Sequence, residues 1–224
     1  MTKRLGYITG INGNMVTVSF DTFVMQNEVA YIICGQERLK SEVIRVRGNS
    51  AQMQVYENTR GLEVGYEVEF SSELLSAELG PGLLGEIFDG LQNPLPLLAK
   101  ECGFFLKRGV YKRALSDTQE WDFTPLAKTG DKLRPGEAVG FVPEKIFKHY
   151  IMVPFRLRGI QEIISIVKPA KYSLKQPIAQ LKDVNGKISE AFLSQLWPVK
   201  IPIQAYAEKL KPQEPLVTKM RLID

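Results

Sequence analysis

The chain has 224 residues, of which 44% are hydrophobic and 24% charged, proportions that are ordinary for a globular protein. No apolar run approaches the roughly 20 residues of a membrane-spanning helix, and the N-terminus lacks the apolar core of a signal peptide, so we expect a cytoplasmic protein. Cys34, Cys102 and His149 are the only cysteines and histidine. Three such residues make a structural zinc site improbable, and we expect free thiols and a packed or surface histidine.

The charge is distributed unevenly along the chain. Residues 1–100 contain 8 Lys/Arg and 12 Asp/Glu, whereas residues 101–224 contain 21 and 13. A basic half can indicate nucleic-acid binding, but these lysines are dispersed and no aromatic residues alternate with them. The pattern favours a solvated surface, and a nucleic-acid-binding barrel stays the last of the alternatives.

The first 70 residues predict a small closed β-barrel. Asn12-Gly13 is suited to a hairpin turn, and the flanking segment alternates Val16, Val18 and Phe20 with more polar residues, which gives one apolar face. Short strands at even spacing, separated by turn residues, are typical of such a barrel. The predicted strands cover Leu5–Thr9, Met15–Phe20, Val29–Cys34, Leu39–Arg47, Ala51–Tyr56 and Tyr66–Phe70.

A helical segment is predicted next. Ser71 or Ser72 is suited to cap a helical turn over Glu73–Glu78, and Gly80-Pro81-Gly82 then breaks the chain. The apolar spacing from Leu83 to Leu91 predicts a short amphipathic helix that Pro94 ends. Leu97–Glu101 is expected to continue a helix.

The same glycines also match a dinucleotide-binding fingerprint. Gly80, Gly82 and Gly85 satisfy G-x-G-x-x-G, and Glu101 lies at a suitable distance for a ribose contact. However, the preceding residues are mixed and polar where a buried strand is needed, and Pro81 removes a backbone donor. A structural turn is therefore favoured over a cofactor site.

Residues from Trp121 to Val167 predict a second β module. Its strands are expected within 138–142, Ile151–Val153 and Ile160–Val167, with Pro- and Lys-rich edges from Pro169 to Pro177. Tyr206–Thr218 is polar and Pro-rich and predicts a linker, followed by an apolar strand at Met220–Asp224.

The motifs of common catalytic sites are absent from the sequence. No G-x-x-x-x-G-K-[ST] phosphate loop or G-x-S-x-G nucleophile turn occurs. Glu67 and Glu69 share one strand face, a pattern more typical of an exposed, solvated edge than of an acid/base pair. We therefore predict no catalytic, cofactor-binding or metal-binding residues, and no ATP hydrolysis by this chain.

One segment resembles biotinyl and lipoyl carrier domains, in which a hairpin-tip lysine receives the cofactor. Gly130-Asp131 and Gly136-Glu137 precede Val142–Lys145, which makes Lys145 the candidate attachment site. Lys145 lies one position too close to Gly136 for the lipoyl pattern, and neither Met-Lys-Met nor Asp-Lys-Ala is present. The segment is interpreted as a similar β hammerhead without the attachment chemistry, and a carrier module remains the alternative function.

Five motifs occur in a characteristic order. They are Glu78–Leu95, which contains ELGPGLL; Lys128–Lys132 with Gly140–Glu144; Ile151–Pro154; Trp197–Lys200; and Pro215–Thr218 with Arg221–Asp224. Together they resemble the N-terminal part of the catalytic A (alpha) subunit of V-type and archaeal-type rotary ATPases. Two residues depart from that pattern: Phe155 replaces a proline, and Lys219 replaces a glycine.

The resemblance implies a mainly β fold with four parts. They are an N-terminal β-barrel (1–71), a short helical connector (72–114), a β-rich insertion module of barrel-sandwich type (115–205), and a linker with a first strand toward a nucleotide-binding domain (206–224). It implies a chain truncated before the phosphate-loop domain, so that ATP and Mg²⁺ would bind only in the full-length subunit.

The resemblance also implies an assembly role. The barrel would join an alternating ring with B subunits, and the insertion module would contact the peripheral stalk. Neither nucleic acid nor direct membrane contact is expected, although the whole complex lies against a membrane. The full-length subunit would hydrolyse or synthesise ATP, coupled to the transport of hydrogen or other ions.

Overall fold

The computed structural model describes residues 3–206, 208–215 and 217, and it is mainly β as predicted. The first module is a closed six-stranded barrel in which every neighbouring pair is antiparallel, in the order β1-β2-β5-β4-β3-β6. Its strands are β1 (Arg4–Asn12), β2 (Met15–Phe20), β3 (Glu28–Cys34), β4 (Glu37–Arg47), β5 (Ser50–Val55) and β6 (Glu67–Leu74). All six predicted strands are confirmed, with small differences at their ends.

Alternation along the strands produces the barrel core. In β2, Val16, Val18 and Phe20 are buried while the intervening residues are partly exposed, as the sequence pattern predicts. Each fully buried aliphatic side chain contributes about 1.5–3 kcal/mol relative to an exposed one. Members of this core from the other strands include Ile8, Ile32, Leu39, Met53 and Val68.

The second module is a β-sandwich of two four-stranded sheets. One sheet has the order β11-β10-β8-β13 and the other has the order β15-β14-β12-β9. Their strands are β8 (Glu120–Pro125), β9 (Lys132–Leu133), β10 (Ala138–Glu144), β11 (Phe147–Met152), β12 (Gln161–Ile166), β13 (Ala170–Ser173), β14 (Ala179–Lys182) and β15 (Ile188–Ala191). Both sheets contribute to one core, which includes Phe123, Val142 and Ile151 from the first and Ile163, Leu181 and Ala191 from the second.

Between the two modules lies the segment 75–119, which includes most of the predicted connector (72–114). It contains a short strand, β7 (Ser76–Leu79), and a helix, α1 (Leu95–Cys102). Strand β7 pairs with β16 (Gln195–Pro198), which follows the sandwich in the sequence. The connector thus belongs to a third, two-stranded sheet between the barrel and the sandwich.

Two helix predictions in this region are wrong. The predicted turn over Glu73–Glu78 is strand, because β6 extends to Leu74 and β7 then pairs with a segment more than a hundred residues away. Residues 83–91 form turns, in which Gly85 has a φ of +80° and the Asp89 side chain accepts two backbone N–H groups.

The observed helix α1 follows Pro94, whereas the predicted helix ended at it. This residue precedes α1 and does not end a helix, in keeping with the preference of proline for the helix start. Helical structure at Leu97–Glu101 is confirmed. Tyr206–Thr218 has no regular structure where it is described, and the predicted strand at Met220–Asp224 lies outside the described residues.

Candidate functional site in the connector

The chain enters and leaves the sandwich at one place. Leu79 pairs with Gln195 and Ser76 with Pro198, so β7 and β16 lie side by side in antiparallel register. The N–H of Val199 donates to the carbonyl of Leu75 at 2.9 Å and extends this contact by one residue. The segments that precede and follow the sandwich in the sequence are therefore paired with each other. We call this paired region, β7 with β16, the base of the sandwich.

Lys200, two residues after the end of β16, connects this base to the barrel. Its Nζ lies 2.8 Å from Oε1 of Glu42 and donates to Oδ1 of Asn27 at 3.3 Å. Glu42 is buried within β4, and its Oε2 accepts a hydrogen bond from the Tyr56 hydroxyl at 2.6 Å. Burial, together with this carboxylate, raises the pKa of Tyr56. A buried carboxylate needs such partners, because an unpaired charge in the interior is strongly unfavourable.

A second carboxylate, Glu78, lies on β7 itself. The Gln92 side chain accepts from the Glu78 N–H at 2.7 Å and donates to its carbonyl at 2.8 Å. The Glu78 carboxylate pairs with Arg113, and Arg113 also pairs with Asp117. Asp117 in turn pairs with Lys175 of the sandwich at 2.8 Å. This chain of ion pairs extends from β7 to the second module.

Residues 108–113, which we call the strap, run along the barrel. The Tyr111 hydroxyl donates to Oε2 of Glu57 at 2.5 Å and accepts from the N–H of Lys40 at 2.7 Å. Arg108 Nε donates to Oε2 of Glu37 at 2.5 Å. Burial and the Glu57 hydrogen bond raise the pKa of Tyr111 above its usual value. The strap therefore fixes the connector to strand β4 and to the residues that follow β5.

The glycine run, residues 80–85, surrounds a buried carboxylate of the protein itself. Glu144 is 3% exposed, and its Oε1 accepts the N–H groups of Gly82 at 2.6 Å and Leu84 at 3.3 Å. Its Oε2 lies 2.7 Å from Nδ1 of His149. Gly82 has a φ of +106°, and a Cβ there would lie 3.3 Å from the Trp121 ring. Two backbone N–H groups of the G-x-G-x-x-G pattern thus donate to Glu144, a side chain of the protein itself.

Lys145, the candidate attachment lysine, lies at the tip of a hairpin. It begins the two-residue turn between β10 and β11 and has a φ of +54°. Its Nζ, however, donates to the carbonyl of Leu84 at 2.9 Å. The ammonium group therefore contacts the connector and provides a third link between the glycine run and the sandwich.

The remaining residues that the sequence suggested are separate from one another. Glu101 pairs with Lys112 near the end of α1. Glu69 is only partly exposed, and its ion pair with Lys3, supported by one with Arg38, lowers its pKa. The prediction of an exposed, solvated carboxylate is therefore wrong for Glu69. Cys34 and Cys102 are free thiols.

Sequence reasoning missed the partners that give the connector its structure. These are Glu42, Tyr111, Arg113 and Glu144, together with the roles of Lys200 and His149. A signal for Glu144 was present: period-two alternation in β10 places it on the same face as Val142, which is fully buried. The other partners join segments that are distant in sequence, which local patterns do not reveal.

Metal-binding and membrane-spanning features can be assessed for the described part of the chain. Within residues 3–206, 208–215 and 217, no three His, Cys, Asp or Glu side chains are grouped closely enough to hold a metal ion. None of the helices described there is long and apolar enough to cross a membrane.

Family comparisons match both modules. Residues 8–72 match the ATP synthase alpha/beta family beta-barrel domain, and residues 112–200 match the ATP synthase alpha/beta subunit barrel-sandwich domain. The chain is 53% identical, over all 224 residues, to the V-type ATP synthase alpha chain of Treponema denticola. The chain belongs to the V-type ATP synthase alpha chain family. It matches the N-terminal portion of the chains in that family.

Other family members give the same picture. The chain is 51% identical over its full length to V-type ATP synthase alpha chain 1 of Treponema pallidum. It is 48% identical, over 99% of its length, to the alpha chain of Borrelia garinii subsp. bavariensis. It spans only 38–39% of the length of these three relatives. The predicted family is thus confirmed.

We predict that Glu144→Ala destabilises the chain by about 1–3 kcal/mol, because it leaves the N–H groups of Gly82 and Leu84 without their acceptor. Glu144→Gln keeps one acceptor oxygen and should lower the free energy of unfolding by less. The measurement is urea unfolding followed by circular dichroism.

Glu162→Ala is the matched control, because Glu162 is an exposed glutamate of the same sandwich. It should stay within about 0.5 kcal/mol of the parent chain. Equal stability of the Glu144→Ala and Glu162→Ala variants would show that the glycine run does not depend on the buried carboxylate.

Proposed function

We propose that this chain is the non-catalytic assembly region of a V-type ATPase or ATP synthase A subunit. The observation that carries the proposal is the connector network, in which ion pairs and hydrogen bonds of Lys200, Arg113 and Tyr111 join the barrel and the sandwich. Fixed geometry between two binding modules is what an assembly subunit needs. The sequence contains no phosphate-binding loop that would add a catalytic function.

The proposal includes a division of the chain. The barrel covers 1–71, the connector 72–114, the insertion module 115–205 and a linker 206–224. The matches of separate family models to residues 8–72 and 112–200 support this division. In this arrangement the barrel joins an alternating ring with B subunits, and the insertion module contacts the peripheral stalk.

An apolar patch on the barrel supports its role in the ring. Tyr7 and Ile11 on β1 are 51% and 36% exposed, and Val64 is 65% exposed. Val64 lies beside β1, because the N–H of the next residue, Gly65, donates to the carbonyl of Ile8. Grouped exposed apolar side chains of this kind are typical of protein–protein contacts. We call Tyr7, Ile11 and Val64 the barrel patch.

The activity of the whole subunit is part of the same proposal. A domain outside this chain binds ATP and Mg²⁺ and catalyses hydrolysis or synthesis, coupled to the movement of hydrogen or sodium ions. The complex is cytoplasmic and peripheral to a membrane, and this region contacts neither the bilayer nor nucleic acid. The names of the relatives, V-type ATP synthase alpha chain, support this assignment.

A chimera tests the assembly role. The matching segment of the Treponema denticola alpha chain is replaced by this chain, and the product is mixed with the B subunit of that organism. We expect an alternating ring, measured by native mass spectrometry. Tyr7→Glu with Ile11→Glu should abolish it, because two charges in the contact would have to be buried.

Val184→Glu with Ile188→Glu is the matched control. These two side chains are also exposed and apolar, but they belong to the sandwich. The control chimera should form the ring as well as the parent chimera does, and circular dichroism of the isolated chains checks their folding. A ring that forms with the Tyr7/Ile11 variant, or fails to form with the parent, would contradict the proposal.

A carrier module is the second candidate, favoured by the position of Lys145 at a hairpin tip. The contact of Lys145 Nζ with the Leu84 carbonyl argues against it, because an acceptor lysine has to reach a modifying enzyme and a second active site. The intact mass of the protein, expressed with biotin and lipoate ligases, distinguishes the two functions. We expect the unmodified mass, and an adduct that disappears in Lys145→Arg would favour the carrier.

A further inference from the structure

A groove beside the base of the sandwich has no role in the connector network. Its volume is about 1100 Å³, slightly above the roughly 300–1,000 Å³ that is usual for small-molecule sites. Three segments line it: the loop 134–137, the loop 155–160, and residues 197–206 that lead away from β16.

The charged groups in the groove are mainly arginines. Arg134, Arg156 and Arg158 line it, and all three are exposed. Among the residues that the structure describes, none of the three guanidinium groups forms an ion pair. The acidic side chain in the lining is Glu137, whose Oε2 accepts the Arg134 N–H at 2.7 Å. The groove therefore offers excess positive charge in the form of planar, forked donors.

Aromatic side chains form a rigid wall of the same groove. The Phe155 and Trp197 rings meet edge to face with centroids 5.8 Å apart. Trp197 Nε1 donates to the carbonyl of Ile201 at 2.7 Å, and the N–H of Phe155 donates to Oε1 of Gln195 at 2.9 Å. Tyr206 adds a third aromatic side chain to the lining. Because Trp197 and Phe155 are already held in place, a ligand would lose little free energy in ordering them.

The backbone along one side of the groove has no regular structure. Residues 202–206 belong to no strand, and no backbone hydrogen bond joins them to another described residue. Such a segment can pair with an incoming extended peptide, which is a common mode of peptide recognition. The sugar-phosphate backbone of a nucleic acid has no N–H groups with which to form such a ladder.

We infer that this groove binds an acidic peptide segment of a partner protein. The carboxylates of the peptide pair with the guanidinium groups of Arg134, Arg156 and Arg158, for which bidentate contact is the favoured geometry. An apolar or aromatic side chain of the peptide packs against the wall of Phe155 and Trp197. Tryptophan, tyrosine and arginine are also the residues enriched at interface hot spots. The inference goes beyond the proposed assembly function, because the charge and shape of the groove do not depend on ring formation.

The test uses the isolated chain and a fluorescein-labelled peptide of about ten residues, with aspartates and glutamates on both sides of a central phenylalanine. Binding is followed by fluorescence anisotropy. We expect saturable binding that weakens as salt rises, and no binding of the same peptide with asparagine and glutamine in place of its acids. Arg156→Glu with Arg158→Glu should weaken binding more than about tenfold.

The matched control reverses two other arginines. Arg45 and Arg47 lie two residues apart on β4 of the barrel and are exposed, so Arg45→Glu with Arg47→Glu makes the same change in net charge away from the groove. This control should bind like the parent chain. The neutral pair Arg156→Gln with Arg158→Gln gives a second test should the charge reversal impair folding, and it too should bind more weakly than the parent.

Three outcomes would overturn the inference. The first is no saturable binding of the acidic peptide. The second is equal weakening by the groove variant and the barrel variant, which would indicate a general effect of net charge. The third is tighter binding of an oligonucleotide such as oligo(dT), lost in the groove variant, which would assign the groove to nucleic acid. The proposed ring assembly is measured separately with the chimera, so it can fail or succeed independently.

Discussion

The pairing of β7 with β16 is the constraint on which the rest of the structure depends. It brings residues 76–79 against residues 195–198 and so closes the whole sandwich into a loop that starts and ends beside the barrel. Closing a long segment is entropically unfavourable, although the cost rises only slowly with its length. The two-stranded sheet is too small to offset this alone, and the sandwich core and the contacts of the connector supply the remaining stabilisation.

Charged groups at the module boundaries make those contacts specific. Glu42, Glu78 and Glu144 are each buried, and each joins segments distant in sequence through Lys200, Arg113 or the glycine run. A buried ion pair contributes little net stability compared with apolar packing, but removing one partner is costly. Such pairs disfavour a wrong relative placement of barrel and sandwich more strongly than apolar contacts would. This property suits a part that has to present two binding modules in a fixed orientation.

The sequence predicted the local features of this fold well and its long-range features poorly. The barrel strands followed from alternation and turn residues, as in Val16, Val18 and Phe20, because one buried face imposes a period of two. Strand β7 was mistaken for helix because its pairing partner, β16, lies far away in the sequence. Residues 83–91 were also mistaken for helix, because their apolar residues have helical spacing, although Gly85 and Asp89 favour turns. The connector was located by its family motif. The structure was needed to show that the glycine run binds the Glu144 carboxylate, because β10 and the glycine run are distant in sequence.

An equilibrium titration of the isolated chain with MgATP tests the central claim, that this region assembles and does not catalyse, most directly. Isothermal calorimetry should detect no saturable binding up to about 1 mM nucleotide, the upper end of typical enzyme affinities. This result is expected because the glycine run already binds Glu144 and no phosphate loop is present. A one-to-one isotherm in the micromolar range would place a nucleotide site in this chain and contradict the account.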